Sequence, residues 1–321
     1  MSTVRSIQEI PGVMLGNAQD EKAATGCTVI ICPEGAVAGV DVRGGAPGTR
    51  ETDLLKPENY VEKIHAVLLA GGSAYGLDAA AGVMQYLEES GIGFDVGVAK
   101  VPIVAGAVLF DLPCGDARVR PDKAMGYAAC VAASRGDFAA GSVGAGTGAT
   151  VGKVYGMEHA MKGGLGVYCV KTGNLVMAAV VAVNCLGDVV DPAGGTVLAG
   201  ARRRDTGEFL HSERGLLQQA EKAANLFAGN TTIGAVITNA RLTKAQATKI
   251  ASMAHDGYAR TMRPAHTMLD GDTIFALSVG QVQADISAVG ALAADVMEKA
   301  VLCAVQEAEQ LAGFPCVKDL G

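Results

Sequence analysis

An asparagine and two threonines stand where a polar segment gives way to an apolar one, in the sequence Gly229-Asn230-Thr231-Thr232. If the Asn230–Thr231 peptide bond were strained, the Thr231 hydroxyl could attack the preceding carbonyl. Hydrolysis of the resulting ester would leave Thr231 with a free α-amine. Such an amine has an unperturbed pKa of about 8 and can act as a general base near neutral pH. Nucleophile and base would then belong to one residue, as in N-terminal threonine nucleophiles. Taken alone, the motif is more typical of an ordinary turn before a strand.

The elements that must position this segment alternate between strands and helices. Apolar runs bounded by turn residues predict strands, and apolar spacing of three and four residues predicts helices. The helix after residue 243 has a capping-box sequence, and the helix after Pro121 has proline in its first turn. The predicted strands are residues 37–42, 66–69, 166–170, 175–183, 231–238 and 273–279, and the predicted helices are residues 77–89, 122–133, 243–260 and 286–308. Residues 201–230 are polar, and we expect a surface excursion with some helix.

The composition of the chain argues against nucleic-acid-binding and membrane proteins. The chain has 321 residues, of which 50% are hydrophobic, so one α/β domain with a large core is expected. The net charge of −7, without a basic cluster, argues against nucleic acid as a partner. No apolar run reaches the roughly 18 residues of a membrane helix, and the N-terminus lacks a signal-peptide core. We therefore expect a cytoplasmic protein that does not contact a membrane.

Several familiar sites are excluded by spacing. The eight cysteines form no CxxC pair, so neither a disulfide framework nor a zinc site is indicated. A phosphate loop before Lys153 would need glycine at Thr147 and a hydroxyl residue at Val154. A nucleophile elbow around Ser73 would need glycine at Tyr75. We expect no metal and no cofactor.

Seven stretches along the chain share motifs with one family. They are Leu69-Ala-Gly-Gly-Ser73, Tyr75-Gly-Leu77, Gly144-Ala-Gly-Thr-Gly-Ala-Thr-Val-Gly-Lys153, Asn230-Thr-Thr-Ile-Gly234, Thr238-Asn-Ala240, His266-Thr267 and Asp270-Gly-Asp-Thr-Ile-Phe-Ala276. Together they resemble the L-aminopeptidase/D-esterase-amidase (DmpA-like) family, which includes the endo-type 6-aminohexanoate oligomer hydrolases that act on nylon oligomers. The similarity runs from about residue 12 to residue 308.

The resemblance implies a fold and a processing event. The fold is an α/β, αββα four-layer sandwich of the N-terminal-nucleophile-like hydrolases, related to that of the ornithine acetyltransferases. The precursor would cleave itself between Asn230 and Thr231. Its two pieces, residues 1–230 and 231–321, would stay together as one hydrolase domain.

The resemblance also assigns roles by position. Thr231 matches the nucleophile, and Lys153 matches a lysine that lines the site. Asn184 matches the asparagine that positions the nucleophile or donates to the oxyanion. Read singly, Lys153 is typical of a surface turn, and Asn184 is typical of a strand end.

An acidic pair and a tyrosine complete the set. Asp270 and Asp272 match a pair that orients Thr231 through hydrogen bonds, although Asp-Gly-Asp alone is also typical of a hairpin turn. Tyr75 resembles a substrate-pocket tyrosine, with simple packing as its alternative. Some aminopeptidase members of the family use serine and lack Asp-Gly-Asp, so Thr231 with this pair resembles the nylon-oligomer branch.

The expected function is therefore hydrolysis of small peptides, amino-acid amides or oligoamides by a homo-oligomer, a homotetramer of processed units by resemblance. Two alternatives remain open. One is an acyltransferase of the ornithine acetyltransferase type, which would transfer its acyl group to an amine. The other is a non-catalytic small-molecule-binding relative, which would stay a single band of 32.5 kDa on a denaturing gel.

Overall fold

The computed structural model describes residues 2–3, 7, 10–218 and 229–320. Its strands are β1 (Ser2–Thr3), β2 (Met14–Asp20), β3 (Thr25–Val42), β4 (Thr49–Arg50), β5 (Lys63–Ala70), β6 (Phe94–Asp95), β7 (Lys100–Val101), β8 (Val104–Val108), β9 (Thr150–Val151), β10 (Met161–Lys162), β11 (Gly164–Thr172), β12 (Leu175–Val183), β13 (Asp188–Val190), β14 (Val197–Ala199), β15 (Ile233–Ala240), β16 (Met262–Arg263) and β17 (Thr273–Val282). Its α-helices are α1 (Ala79–Glu89), α2 (Lys123–Arg135), α3 (Ser212–Gln218), α4 (Lys244–Thr261) and α5 (Ile286–Glu307).

Ten strands are hydrogen-bonded in the order β1-β11-β12-β15-β17-β3-β5-β8-β4, with β2 also paired to β3. β3 lies inside this order, between β17 and β5, and belongs to both halves of the sheet. Its first part, up to Ile31, pairs with β2 and β5, and its last part, from Val37, pairs with β17. The register against β5 shifts between Ile31 and Ala36, and the strand passes from one half of the sheet to the other at Val37, which pairs with both β5 and β17.

The two halves of the sheet pack face to face, and helices cover both outer faces. β12 shows the pattern, because Val180 and Ala182 face the core between the halves whereas Val181 and Val183 face the core under α4 and α5. A third core joins β3, β5 and β8 to α1 and α2. The layers are thus helix, sheet, sheet and helix, which confirms the predicted αββα sandwich. Because both faces of its central strands are buried, those strands are continuously apolar.

Helix ends follow the predicted capping chemistry with one correction. The capping box of α4 is present, with the Thr243 hydroxyl accepting from Gln246 N and the Gln246 side chain accepting from Thr243 N. Pro121, however, lies outside the first turn of α2. The side chain of Asp122 accepts a hydrogen bond from Met125 N, and this makes Asp122 the N-cap and starts the helix at Lys123.

Other sequence expectations need small corrections. The strand predicted over residues 231–238 begins at Ile233, since Thr232 N donates to the side chain of Asp272 and not to a neighbouring strand. The Asp-Gly-Asp segment is not a hairpin turn, because it leads into β17, which runs parallel to β15. In the predicted excursion the structure shows α3 and a bridge between Arg202 and Phe209, and residues 219–228 lie outside the described residues.

The expected absences can be compared only with the described part of the chain. There, no helix is long and apolar enough to cross a membrane, and no group of three or more His, Cys, Asp or Glu side chains is placed to hold a metal ion. The cysteines are free thiols, and all but Cys303 are buried.

Candidate active site

Three strand ends bring the predicted residues to one edge of the sheet. β12 runs antiparallel to β15, so Asn184, which follows β12, lies opposite Thr231, which precedes β15. β17 runs parallel to β15, so the segment from Asp270 to Asp272 arrives at the same edge. A bridge between Asn230 and Asp270 extends this pairing before either strand begins.

The Thr231 hydroxyl faces the carbonyl of its own preceding residue. Thr231 Oγ1 donates to Asn230 O, and Thr231 is only 4% exposed. Gly271 N lies 3.1 Å from Thr231 Oγ1 and also 3.1 Å from Asn230 O. A backbone N–H in this place can stabilise negative charge that develops on the Asn230 carbonyl oxygen.

Asn184 organises the opposite side of Thr231. Its backbone oxygen accepts from Thr231 N at 2.9 Å, and its side-chain Oδ1 accepts from Thr150 N at 2.9 Å. Its Nδ2 donates to Phe110 O at 3.0 Å. Asn184 therefore holds the amide nitrogen of Thr231, while Gly271 provides a backbone N–H at the Asn230 carbonyl.

Lys153 reaches the site from the end of the glycine-rich stretch. Its Nζ donates to Asn184 O and to Asn184 Oδ1, both at 2.9 Å. Burial lowers the pKa of Lys153 from its usual value to about 8. Gly152 permits this placement, because its φ of +74° is left-handed and an added Cβ would lie 2.0 Å from Ala201 N.

The two aspartates are fully buried, and they hold neighbours of Thr231. Asp270 Oδ1 accepts from Leu186 N at 3.2 Å, and Asp272 Oδ1 accepts from Thr232 N at 2.8 Å. Burial, reinforced by the charge of Asp272, raises the pKa of Asp270 to about 6. The second oxygen of Asp270 accepts from Thr267, and that of Asp272 accepts from His266. Within the described residues, neither carboxylate forms a hydrogen bond with the Thr231 hydroxyl.

Tyr75 stands apart from these buried groups. It lies in a short 3-10 helix after β5, its side chain is 59% exposed, and the Arg120 guanidinium stacks 3.8 Å above its ring. Hydrogen bonds from Ser73 N to Leu109 O and from Asn184 Nδ2 to Phe110 O connect its loop to the site.

Among the described residues, the cluster around Thr231 has almost no exposed surface. Asn184, Asp270 and Asp272 have no exposed surface. Two open cavities of about 890 and 570 Å³ lie elsewhere, and none of the predicted site residues lines either of them. Within the part of the chain that the structure describes, Asn230 and Thr231 are likewise buried, so the hydroxyl and the carbonyl that face each other lie away from solvent.

A sequence model of Peptidase family S58 matches residues 5–317. The chain belongs to peptidase family S58. Its predicted resemblance to the L-aminopeptidase/D-esterase-amidase family is thereby confirmed.

Relatives of this S58 chain include named hydrolases. An uncharacterized aminopeptidase of Mycobacterium bovis is 44% identical over 99% of this chain and 98% of its own length. A 6-aminohexanoate-oligomer endohydrolase of Kocuria sp. is 35% identical over 92% of this chain and 84% of its own length. With the family match, these similarities show that the protein is an amide-hydrolysing enzyme.

Solved structures share the fold at low sequence identity. The L-aminopeptidase D-Ala-esterase/amidase of Ochrobactrum anthropi, a variant of the Ntn hydrolase fold, superposes with a TM-score of 0.73 at 18% identity, covering 98% of this chain and 90% of that one. A β-aminopeptidase of Burkholderia sp. gives a TM-score of 0.71 at 20% identity, covering 99% and 94%. At this identity the likeness concerns the fold of the S58 chain alone.

Some contacts of the S58 site escaped the sequence analysis. In the sequence Gly271 is only the middle residue of an Asp-Gly-Asp motif, yet its N–H contacts both Thr231 Oγ1 and Asn230 O. Thr150 lies inside the recognised glycine-rich motif, and its N–H fixes Asn184 Oδ1. The only sequence signal for either residue was its place inside a family motif.

Proposed function

We propose that this S58 enzyme is an autoprocessed amide hydrolase that cuts its own chain between Asn230 and Thr231 and then uses Thr231 as an N-terminal nucleophile. One observation carries the proposal: the buried Thr231 hydroxyl contacts the Asn230 carbonyl oxygen, and Gly271 N–H donates to the same oxygen. Nucleophile, electrophile and oxyanion donor are thus adjacent before any substrate binds.

Processing would begin when Thr231 Oγ1 attacks the carbonyl carbon of Asn230. The tetrahedral intermediate would place its negative charge on Asn230 O, beside Gly271 N–H. Collapse would break the peptide C–N bond, and the hydroxyl proton would pass to the departing nitrogen, leaving an ester. Water would hydrolyse that ester, which gives a carboxylate on Asn230 and a free α-amine on Thr231.

Turnover would use the same groups with an external amide. The α-amine takes the proton from Thr231 Oγ1 as the hydroxyl attacks, and it returns the proton to the leaving amine; water then releases the acyl group from its ester. Lys153 Nζ and Thr231 N share Asn184 O as their acceptor. A cation so close disfavours protonation of the α-amine and thereby keeps the base available.

The two pieces, residues 1–230 and 231–321, would remain one folded domain after the cut. β15 follows the cut, yet it pairs with β12 from the larger piece. β17, also from the smaller piece, pairs with β3. Separation would break the sheet in the middle of two buried cores, so we propose that the processed unit is a tight heterodimer.

The substrates proposed are small peptides, amino-acid amides or short oligoamides, in line with the relatives described as an aminopeptidase and an oligomer endohydrolase. Assembly into a homotetramer of processed units, and Tyr75 as a substrate-pocket residue, remain predictions. Sedimentation of the processed protein tests the first. The kcat and KM of Tyr75→Phe and Tyr75→Ala on the amide panel described next test the second.

The deciding experiment follows the covalent state of the chain. Wild-type protein should give two bands on a denaturing gel, and N-terminal sequencing of the smaller piece should begin at Thr231. Thr231→Ala should remain at 32.5 kDa, whereas Thr232→Ala, the matched control, should still be cut. An unbroken wild-type chain that hydrolyses amides, or a cut at another bond, would overturn the proposal.

Activity assays separate the reaction classes. A panel of amino-acid amides, short peptides and amide oligomers should be hydrolysed by the processed protein and not by Thr231→Ala. The same panel with an added amine acceptor tests acyl transfer. Transfer that dominates over hydrolysis would assign the enzyme to the acyltransferase class instead.

A further inference from the structure

The far oxygen of Asp272 is held by a histidine that the proposed mechanism does not use. Asp272 Oδ1 accepts from Thr232 N, whereas Oδ2 accepts from His266 N at 3.0 Å and lies 2.9 Å from His266 Nδ1. A carboxylate oxygen accepts, so Nδ1 carries the proton in this contact. One continuous path of hydrogen bonds therefore runs from the imidazole, through Asp272, to the peptide that follows the nucleophile.

The backbone of His266 is bent to make this contact. Its φ is +57°, in the left-handed region that a residue with a Cβ seldom adopts. Both hydrogen bonds from this one residue end on the same carboxylate oxygen. The turn thus acts as a two-point clamp on Asp272, and the conformation is accounted for by that clamp.

Aromatic packing fixes the imidazole in its orientation. The ring of His255 lies 4.8 Å away at 71°, and the ring of Tyr258 lies 6.2 Å away at 34°. The opposite ring nitrogen, Nε2, is buried and has no hydrogen-bond partner among the described residues. Burying an unpaired nitrogen works against stability, so packing alone does not explain a histidine here.

We propose that His266 is a positioning residue for this reaction: its Nδ1–H fixes Asp272, and Asp272 fixes the Thr231–Thr232 peptide so that the Thr231 hydroxyl is aimed at its target. The inference rests on the proposed function and deepens it. His266 contacts no reacting atom. Because the Thr231–Thr232 peptide is the same before and after the cut, His266 acts in both self-cleavage and turnover.

Two substitutions separate the hydrogen bond from the backbone strain. His266→Asn keeps an amide donor near the place of Nδ1 and tolerates a positive φ. His266→Gly tolerates the same φ but has no side-chain donor. Ala312→Gly, at another left-handed position with φ +51°, controls for added glycine flexibility. Self-cleavage of freshly made chain and kcat and KM of processed enzyme are measured for each.

Loss of one hydrogen bond to a carboxylate should slow His266→Gly about 10-fold to 100-fold in both self-cleavage and kcat. KM should stay unchanged, because the imidazole does not touch substrate. His266→Asn should remain within about threefold of wild type, as should Ala312→Gly. If His266→Gly fails to fold, His266→Gln, which fills the space but misplaces its amide, should show the same loss.

The proposal is overturned if folded His266→Gly reacts at the wild-type rate, if His266→Asn is equally slow, or if KM rises while kcat is preserved. Hydrogen–deuterium exchange of the peptide containing Thr232 provides a readout independent of activity, with faster exchange expected in His266→Gly. A wild-type chain that is never cut, combined with that faster exchange, would remove the proposed function but leave the clamp intact. Unchanged exchange would remove the clamp.

Discussion

Lys153 Nζ donates hydrogen bonds to both oxygens of Asn184, the backbone carbonyl and the side-chain amide, each at 2.9 Å. The lysine therefore has neutral oxygen partners and a pKa lowered by burial to about 8, and it shares the Asn184 carbonyl with the amide of Thr231. This relationship places a titratable cation beside Thr231 N.

Replacing Lys153 by methionine keeps the stem of the side chain and removes the charge. We expect self-cleavage to slow, and kcat of the fraction that is processed to fall by about 100-fold, because the site loses a stabilising charge and the α-amine loses the cation that keeps it neutral. Steady-state assays at pH 7 measure the effect. Lys171→Met is the control, since Lys171 is exposed at the end of β11. An unaffected kcat in Lys153→Met would contradict the role given to this charge.

Self-cleavage should depend on pH with two limbs. Asp270 has a pKa raised to about 6, so the carboxylate is lost, and the rate falls, as the pH drops through that value. Lys153 has a pKa lowered to about 8, so its charge is lost, and the rate falls, as the pH rises through that value. Cleavage of freshly translated chain across pH 5 to 9 tests this, and Asp270→Asn should lack the acid limb.

Lys162 offers a test of buried charge away from the reaction. Its Nζ donates to the backbone oxygens of Gly146, Thr147 and Ala149, and burial lowers its pKa to about 8. Between pH 8 and 10.5 the unfolded chain then binds more protons than the folded chain. This group therefore contributes a rise of roughly 3 kcal/mol in the free energy of unfolding as the pH increases through that window.

Denaturant titrations of uncut Thr231→Ala, with and without Lys162→Met, measure that contribution as a difference. The difference in the free energy of unfolding between the two proteins is the relevant quantity, because buried thiols such as Cys27 and Cys32 also make stability depend on pH. Burial raises the pKa values of these thiols, which lowers stability as the pH increases beyond about 9. The advantage of the parent over Lys162→Met should grow from pH 8 to 10.5. A constant difference would show that Lys162 titrates normally.

Gly271 should be intolerant of any side chain. An added Cβ would lie 2.7 Å from Ala46 O and 2.8 Å from Thr231 Oγ1, so Gly271→Ala must displace the hydroxyl or the oxyanion donor. We expect self-cleavage slower by about 100-fold, as for loss of an oxyanion-hole donor. Gly194→Ala, whose Cβ would meet nothing closer than 3.5 Å, is the matched control. A gel time course distinguishes the two.

Much of the fold could be predicted from local patterns. The hairpin of β11 and β12, the capping box of α4 and the apolar face of α5 each depend on residues close together in sequence. The passage of β3 between the two halves of the sheet could not be predicted in this way. Its first part pairs with β5 and its last part with β17, and those partners are set by tertiary packing.

The site, like the fold, has a part that could be predicted from the sequence and a part that depends on tertiary structure. The family resemblance predicted Thr231, Asn184 and Lys153, and the structure brings these three residues together. The detailed contacts of Gly271 and the two aspartates were beyond the sequence, since they depend on the register of β15 against β17 across about 40 residues. The predicted start of β15 was wrong for the same reason. The Thr232 N–H donates to the buried carboxylate of Asp272 and not to a neighbouring strand.

The continuity of β3 has a mechanical consequence. β3 pairs with strands of both halves of the sheet. The two halves therefore cannot move apart unless the hydrogen bonds of β3 with β5 or with β17 break. Because β17 pairs with both β3 and β15, this coupling reaches the edge of the sheet at which Thr231 lies.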